Sequence, residues 1–233
     1  MRYSFRTGHR RGSTGSRFQF DRPESRAATT VASPVRRRVA DLQLAVSGVV
    51  VSAATAWACG SGFVERADHR LFRMINTLPD GLFRPLWLIQ LTGVLGAPAV
   101  VAAIALLARR FRLAAGLLLL IPAKLVVERD ILKSLVVHGR PGAIMPEAVL
   151  RDVPTAGLAF PSGHALLLFG MATLLLPYSS RGQRAVTLAI AILAAVARIY
   201  LGAHTPLDVV GGAAAGIAVG ALLNLIVGVG SPR

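Results

Sequence analysis

Six stretches of this chain are apolar over a length that crosses, or nearly crosses, a lipid bilayer, and that limits the folds open to it. A helical span needs roughly 20 mostly apolar residues. Inside lipid every backbone N–H and C=O must be bonded within the protein, which a helix achieves by itself. The runs cover about Leu42 to Val64, Pro85 to Ala108, Leu113 to Val137, Ser162 to Leu176, Ala185 to Leu201 and Pro206 to Val229. The expected fold class is therefore all-α: a six-transmembrane-helix bundle over residues 39–233, behind a disordered Arg-rich tail over residues 1–38. With 54% hydrophobic and only 16% charged residues, the chain is too apolar for an ordinary soluble domain.

A net charge of +15 would suit a nucleic-acid binder, but ten arginines precede residue 40, in a segment rich in Ser and Gly without apolar periodicity. That excludes a folded basic patch, so the expected partner is the bilayer and not nucleic acid. Arginines also set the orientation, because basic loops stay cytoplasmic. The tail, Arg109 to Arg112, the Arg181–Arg184 turn and Arg233 fall on one side of a six-span count. Both termini are then cytoplasmic, and the loops after the first, third and fifth helices face outward. A bacterial plasma membrane is the expected location. The single cysteine, Cys59, excludes an internal disulfide and lacks partners for a zinc site. No metal or cofactor is expected, and the sequence does not specify an oligomeric state.

Three segments carry the chemistry. Arg198 to Asp208 lies between the last two helices, and Thr205-Pro206 reads as an N-cap followed by proline at the first helical position. A cation, an imidazole (His204) and a carboxylate (Asp208) thus gather where a helix presents unpaired N–H groups and the positive end of its dipole, as anion sites do. Asp208 also fits the plain role of completing a capping box. Gly212, Gly216 and Gly220 continue the four-residue spacing from His204 and Asp208, forming a ridge that lets a neighbouring membrane helix approach closely. Phe160-Pro161-Ser162-Gly163-His164 opens the fourth helix, with Ser162 able to cap it and Gly163 allowing backbone to meet a ligand.

The third helix carries Lys124, Glu128, Arg129, Asp130 and Lys133. A charge near mid-membrane costs at least about 2.5–3.5 kcal/mol, so such groups are paired or face a polar cavity. Lys124 and Glu128, four apart, read as a structural ion pair. Lys133 and Arg140, near the outer surface, read as uncompensated cations that need an anion. Together with Arg198 they give three cations, beside two helix N-termini and two histidines, on one outer face. That set suits a phosphate group. One imidazole can attack phosphorus, oriented by a carboxylate, while the other protonates the leaving oxygen. The cations stabilise charge on the transferring group.

Lys133-x6-Arg140-Pro141, Pro161-Ser162-Gly163-His164 and Arg198-x5-His204-x3-Asp208 resemble the three signature segments of the type 2 phosphatidic acid phosphatase superfamily. The resemblance implies that His204 is the nucleophile forming a phosphohistidine, Asp208 orients it, and His164 is the general acid. It implies that Lys133, Arg140, Ser162, Gly163 and Arg198 hold the phosphate, with no metal cofactor. The implied reaction is hydrolysis of a lipid phosphate monoester or diphosphate, of phosphatidic acid or prenyl diphosphate type, at the extracytoplasmic face. Two departures stand out: Ala197 replaces the serine that usually precedes the third-signature arginine, and Gly142 follows Pro141 where another basic residue is common. The rival reading is a non-catalytic lipid-phosphate binder or transporter, against which the paired histidines argue. His138 reads as a loop residue, Tyr200 as an interfacial aromatic, and Glu147, Arg151 and Asp152 as solvated charges.

Overall fold

A seam of small residues on the first helix shows how the bundle is assembled. In a computed structural model that describes residues 34–229, α1 (Pro34–Ser61) buries Asp41, Ala45, Gly48 and Ser52, with Thr55 and Cys59 half-buried after them. These positions repeat every three or four residues, the spacing of a helix face turned toward one partner. The partner is α10 (Pro206–Val227), whose Ala214 and Ala218 leave no room for a side chain at Gly48. The other faces of α1 expose Leu42, Val46, Val49, Val50 and Trp57. Surfaces that apolar belong in lipid.

Between them come α2 (Glu65–Asn76), α3 (Phe83–Gln90), α4 (Ala97–Leu107) and α5 (Phe111–Leu125). The helix of α5 continues through a wider π-type stretch, Val126–Leu132, into the short α6 (Lys133–Leu135). Then follow α7 (Pro141–Ile144), α8 (Gly163–Leu175) and α9 (Arg181–Tyr200), which opens with a capping box between Ser180 and Gln183. No strand occurs among the described residues, so the all-α expectation stands. The expected tail lies outside the described residues up to residue 33, and α1 begins at Pro34, inside the stretch assigned to that tail.

By length and apolarity three helices qualify as membrane spans: Arg38–Ser61, Arg181–Tyr200 and Pro206–Val227. A fourth qualifies if Asp80–Gly93 and Ala97–Leu107, bent by 64°, form one broken span. The six expected runs do not all meet that criterion, for two physical reasons. The third run is interrupted by its own charges, and the fourth, α8, has only 13 residues. The break in the second run, at Leu91–Gly93, was not anticipated either.

α10 is the axis of the bundle. Its apolar neighbours include Leu117 and Leu120 of α5, Leu167 and Leu174 of α8 and Ala194 of α9, all buried with Val219 and Leu223. The glycine ridge does what its spacing implies. A Cβ on Gly212 would strike the backbone of Ser162, one on Gly216 the carbonyl of Leu166, and one on Gly220 the carbonyl of Gly170. Helices α8 and α10 therefore touch backbone to backbone, and their N-termini lie side by side.

Gly216→Ala should destabilise the protein by about 1–3 kcal/mol, because the methyl group has a rigid carbonyl in its way. Gly60→Ala, where nothing lies within 4 Å, should be neutral or slightly stabilising through helix propensity. Thermal unfolding of both variants in detergent compares them directly.

Candidate active site

The chain folds locally at Thr205 as its sequence implies: Thr205 is the N-cap of α10 and Pro206 its first helical residue. Asp208 reaches back, its Oδ2 accepting the Thr205 N–H at 2.8 Å. Its backbone carbonyl accepts the Ser162 N–H at 2.9 Å, tying the start of α8 to the first turn of α10. The carboxylate is fully buried. Its Oδ1 accepts from His138 Nδ1 at 2.9 Å, while His204 Nδ1 stands 3.7 Å from Oδ2, beyond hydrogen-bond reach. Two imidazoles thus flank one aspartate. Burial lowers the pKa of His204 below the ordinary histidine value, leaving a neutral ring. The hydrogen bond to Asp208 raises that of His138, against the effect of its own burial.

Asp68 of α2 supports this corner from outside, Oδ1 accepting the Leu207 N–H at 2.8 Å. Its burial raises its pKa. Asn76, on the same face of α2, bonds the N–H and C=O of Val149 and the carbonyl of Tyr200. Arg151 bonds the carbonyls of Asn76 and Tyr200 and the carboxylate of Asp80, and lies 4.2 Å over the Tyr200 ring. Two expectations are corrected here. Tyr200 is buried and its hydroxyl donates to the Pro79 carbonyl, so it is not an interfacial aromatic. Arg151 is a clasp between loops, not a solvated charge. Asp152 accepts from Trp87 Nε1, whereas Glu147 remains half-exposed and paired with Arg73.

The cations converge from three elements. Arg198, at the end of α9, is buried and donates to Gln90 at the end of α3, while its Nε has no partner. Arg140, at the start of α7, is anchored on the carbonyls of Ala156 and Ala203, and burial lowers its pKa. Lys133 corrects a further expectation: it is not uncompensated, because its Nζ donates to Glu128 Oε1 at 2.6 Å. The π-type stretch explains why. Widening the helix to i→i+5 bonding brings residues five apart onto one face, so Glu128 meets Lys133 as well as its expected partner Lys124.

These groups wall a cavity of about 400 Å³. Of the eight residues singled out in the sequence, Lys133, Arg140, Gly163, His164, Arg198 and His204 line it. Asp208 and Ser162 do not; both are fully buried behind it, Ser162 as the N-cap of α8. Gly93, Val94 and Leu95, from the break between α3 and α4, close another side beside Leu125 and Leu167. A side chain at Gly93 would press on the His164 ring. Arg198 Nε is a buried donor without a protein partner in a residue that lines the cavity, whereas His204 Nδ1 is left to Asp208.

The PAP2 superfamily model matches residues 111–229, from the start of α5 to just past the end of α10. The chain belongs to the PAP2 superfamily. It is accordingly a membrane phosphatase, a hydrolase of phosphoric esters. Its fold resembles the crystal structure of Aquifex aeolicus LpxE at 26% identity and a TM-score of 0.59, covering 66% of this chain and 92% of that one. It also resembles a transmembrane PAP2-type phosphatidylglycerolphosphate phosphatase from Bacillus subtilis at 22% identity and a TM-score of 0.65, covering 78% and 94%. No curated protein is significantly similar in sequence.

Sequence reading of this PAP2 chain missed His138, Gln90, Asp68 and Asn76. Only Gln90 left a signal, as a lone amide inside an apolar run.

Removing the charge of Glu128 should strengthen anion binding. Glu128→Gln frees Lys133 and takes a carboxylate out of the cavity, and orthovanadate affinity should rise by about tenfold, or ~1.4 kcal/mol. Inhibition constants in the two proteins measure this. His138 should make stability depend on pH. Its raised pKa means that the bond of the protonated ring to Asp208 stabilises the fold fully below about 6.5, and that this contribution is lost as pH rises through the higher folded value. Thermal midpoints from pH 6 to 9 should fall more steeply for wild type than for His138→Gln. Equal slopes would mean that folding leaves the affinity of the ring for its proton unchanged.

Proposed function

We propose that this protein hydrolyses a lipid phosphate monoester or diphosphate through a phosphohistidine at His204, without a metal, at the extracytoplasmic face of the membrane. The observation that carries the reading is the placing of both histidines and three cations around one cavity beside two helix N-termini. With His204 Nδ1 turned toward Asp208, Nε2 is the nitrogen that faces phosphorus. A neutral ring, as burial favours, has the lone pair to attack.

As the N–P bond forms, the bond to the leaving oxygen breaks, and that oxygen takes a proton from His164. His204 becomes cationic and Nδ1–H closes on Asp208, so their 3.7 Å separation shortens when charge develops. Lys133, Arg140, Arg198 and the N–H groups at the start of α8 stabilise the equatorial oxygens. Lys133 leaves Glu128 in part to do so. In the second half, water gives its proton to His164 and attacks the phosphohistidine, releasing inorganic phosphate and restoring both rings. Ala197 withholds the hydroxyl that the family usually offers here, and the backbone N–H groups and Arg198 carry the phosphate without it.

The substrate's chain remains in lipid. Leu125, Leu167, Val94 and Leu95 form the apolar part of the cavity wall, and α5 exposes Leu118 and Leu119 to the membrane. Counting the bent α3–α4 pair, the charged α5–α6 helix and the short α8 as spans beside α1, α9 and α10 gives six. The arginine distribution then puts both termini in the cytoplasm and the cavity outside.

His204→Ala should reduce phosphate release to background while the protein stays folded, and acid quench of wild type during turnover should trap an acid-labile phosphoenzyme that the variant lacks. His164→Ala should lose about 10²–10⁴-fold on a lipid phosphate. It should lose far less on an aryl phosphate, whose leaving oxygen departs without protonation. Equal losses on both substrates would remove the general-acid role.

A further inference from the structure

The face of Asp208 turned away from the cavity has a different character from the face turned toward it. Cys59, near the end of α1, His138, in the loop before α7, and Asp208, in the first turn of α10, each offer a ligand atom, and these lie within 4.8 Å of one another. The single cysteine reads in sequence as having no metal partners; folding supplies two. We propose that Cys59, His138 and Asp208 form a site for a zinc-type divalent cation, and that filling it inhibits the enzyme. The inhibition rests on the catalytic reading above; the site does not.

The donor set has the right chemistry. A thiolate, a neutral imidazole and a carboxylate are the sulfur, nitrogen and oxygen ligands that Zn²⁺ accepts, and three of them leave a fourth position for water. Their summed charge of −2 neutralises the ion, as a buried site requires. Mg²⁺ and Ca²⁺ demand mostly oxygen ligands and find one carboxylate. Tetrahedral bonds of ~2.0–2.3 Å place ligand atoms about 3.5 Å apart, so the most separated of the three groups need to close by up to about 1.3 Å. Rotation of the half-buried thiol and imidazole provides that without moving a helix. On binding, the thiol releases its proton, and the ion replaces the proton that now joins His138 to Asp208.

Carboxylates gather at this corner. Asp208 accepts from His138, and Asp68 holds the N–H of Leu207, the residue before Asp208. Lys124, Arg129, Lys133, Arg140 and Arg198 line the cavity, whereas Cys59, His138 and Asp208 do not. Anion and cation sites thus stand back to back with Asp208 between them. An ion drawing on that carboxylate withdraws it from His204, which then loses the partner that stabilises its charge as phosphorus is attacked.

The test uses full-length protein in detergent, stripped with EDTA, with Zn²⁺ alone as the probe and phosphatidic acid as the substrate. Zinc should suppress turnover at least about tenfold, EDTA should restore it, and Mg²⁺ should have no effect. Cys59→Ser should keep its basal turnover, since the side chain is outside the cavity, and should need at least ~10–100-fold more zinc, the loss that even outer-shell changes cause. A binding readout separates this from the catalytic reading: Co²⁺ should give a thiolate-to-metal charge-transfer band in wild type and none in Cys59→Ser, whether or not any substrate is turned over. The proposal is overturned if wild type shows no such band, or if zinc inhibits both proteins equally, which would put the ion on the catalytic histidines.

Discussion

The backbone contact between α8 and α10 is the constraint on which the site depends. Gly212, Gly216 and Gly220 meet Ser162, Leu166 and Gly170 with no side chain between them. In lipid there is no hydrophobic force to drive helices together, so such close dispersion contact supplies the association. One consequence is positional. With the axes that close and the ridge in register, the two N-termini arrive at the same level, and the Ser162 N–H bonds the carbonyl of Asp208. His164 and His204 are brought to one cavity by packing along the helices that follow them. The site is thus an end effect of the bundle, not a feature of its loops.

Asp208 then divides that end electrically. Its two oxygens serve three partners: the Thr205 N–H, His138 and, at longer range, His204. The capping box and a role toward His204 were alternatives in the sequence; in the structure they share one oxygen, Oδ2 accepting the Thr205 N–H and facing His204 while Oδ1 takes His138. Being fixed by the helix start costs the side chain nothing further when charge develops on His204. That is the sense in which the site is preorganised: the dipoles and the carboxylate are aimed before substrate arrives.

Much of this was legible in the sequence, and the limits have physical causes. Signals that depend on neighbours along the chain were reliable: the Thr205-Pro206 helix start, the glycine ridge, the Lys124–Glu128 pair and the three signature segments. Signals that depend on distant chain were not. His138 looked like a loop residue because nothing near it indicates that Asp208, seventy residues on, lies 2.9 Å away. Tyr200 looked interfacial because a tyrosine at a helix end usually is, and only the arrival of Arg151 and Pro79 buries it. The sequence reading drew as continuous two apolar runs that a local irregularity interrupts, at Leu91–Gly93 and at Val126–Leu132. Hydropathy averages over such breaks, yet both face the cavity.

The π-type stretch shows why an irregularity is tolerated there. A regular helix would turn Glu128 toward Lys124 and leave Lys133 unpaired near the membrane boundary, at a cost of a few kcal/mol. One wider turn lets a single carboxylate serve both lysines, and together with them it lies against Gly163 at the start of α8. The cavity is therefore closed electrically by the protein's own anion, held against the start of α8. On the function proposed above, substrate does not enter a field of bare cations; it exchanges with a carboxylate already there. Part of its binding energy goes into that exchange and is returned when phosphate leaves, so the trio of Lys124, Glu128 and Lys133 favours release of the product as much as capture of the substrate.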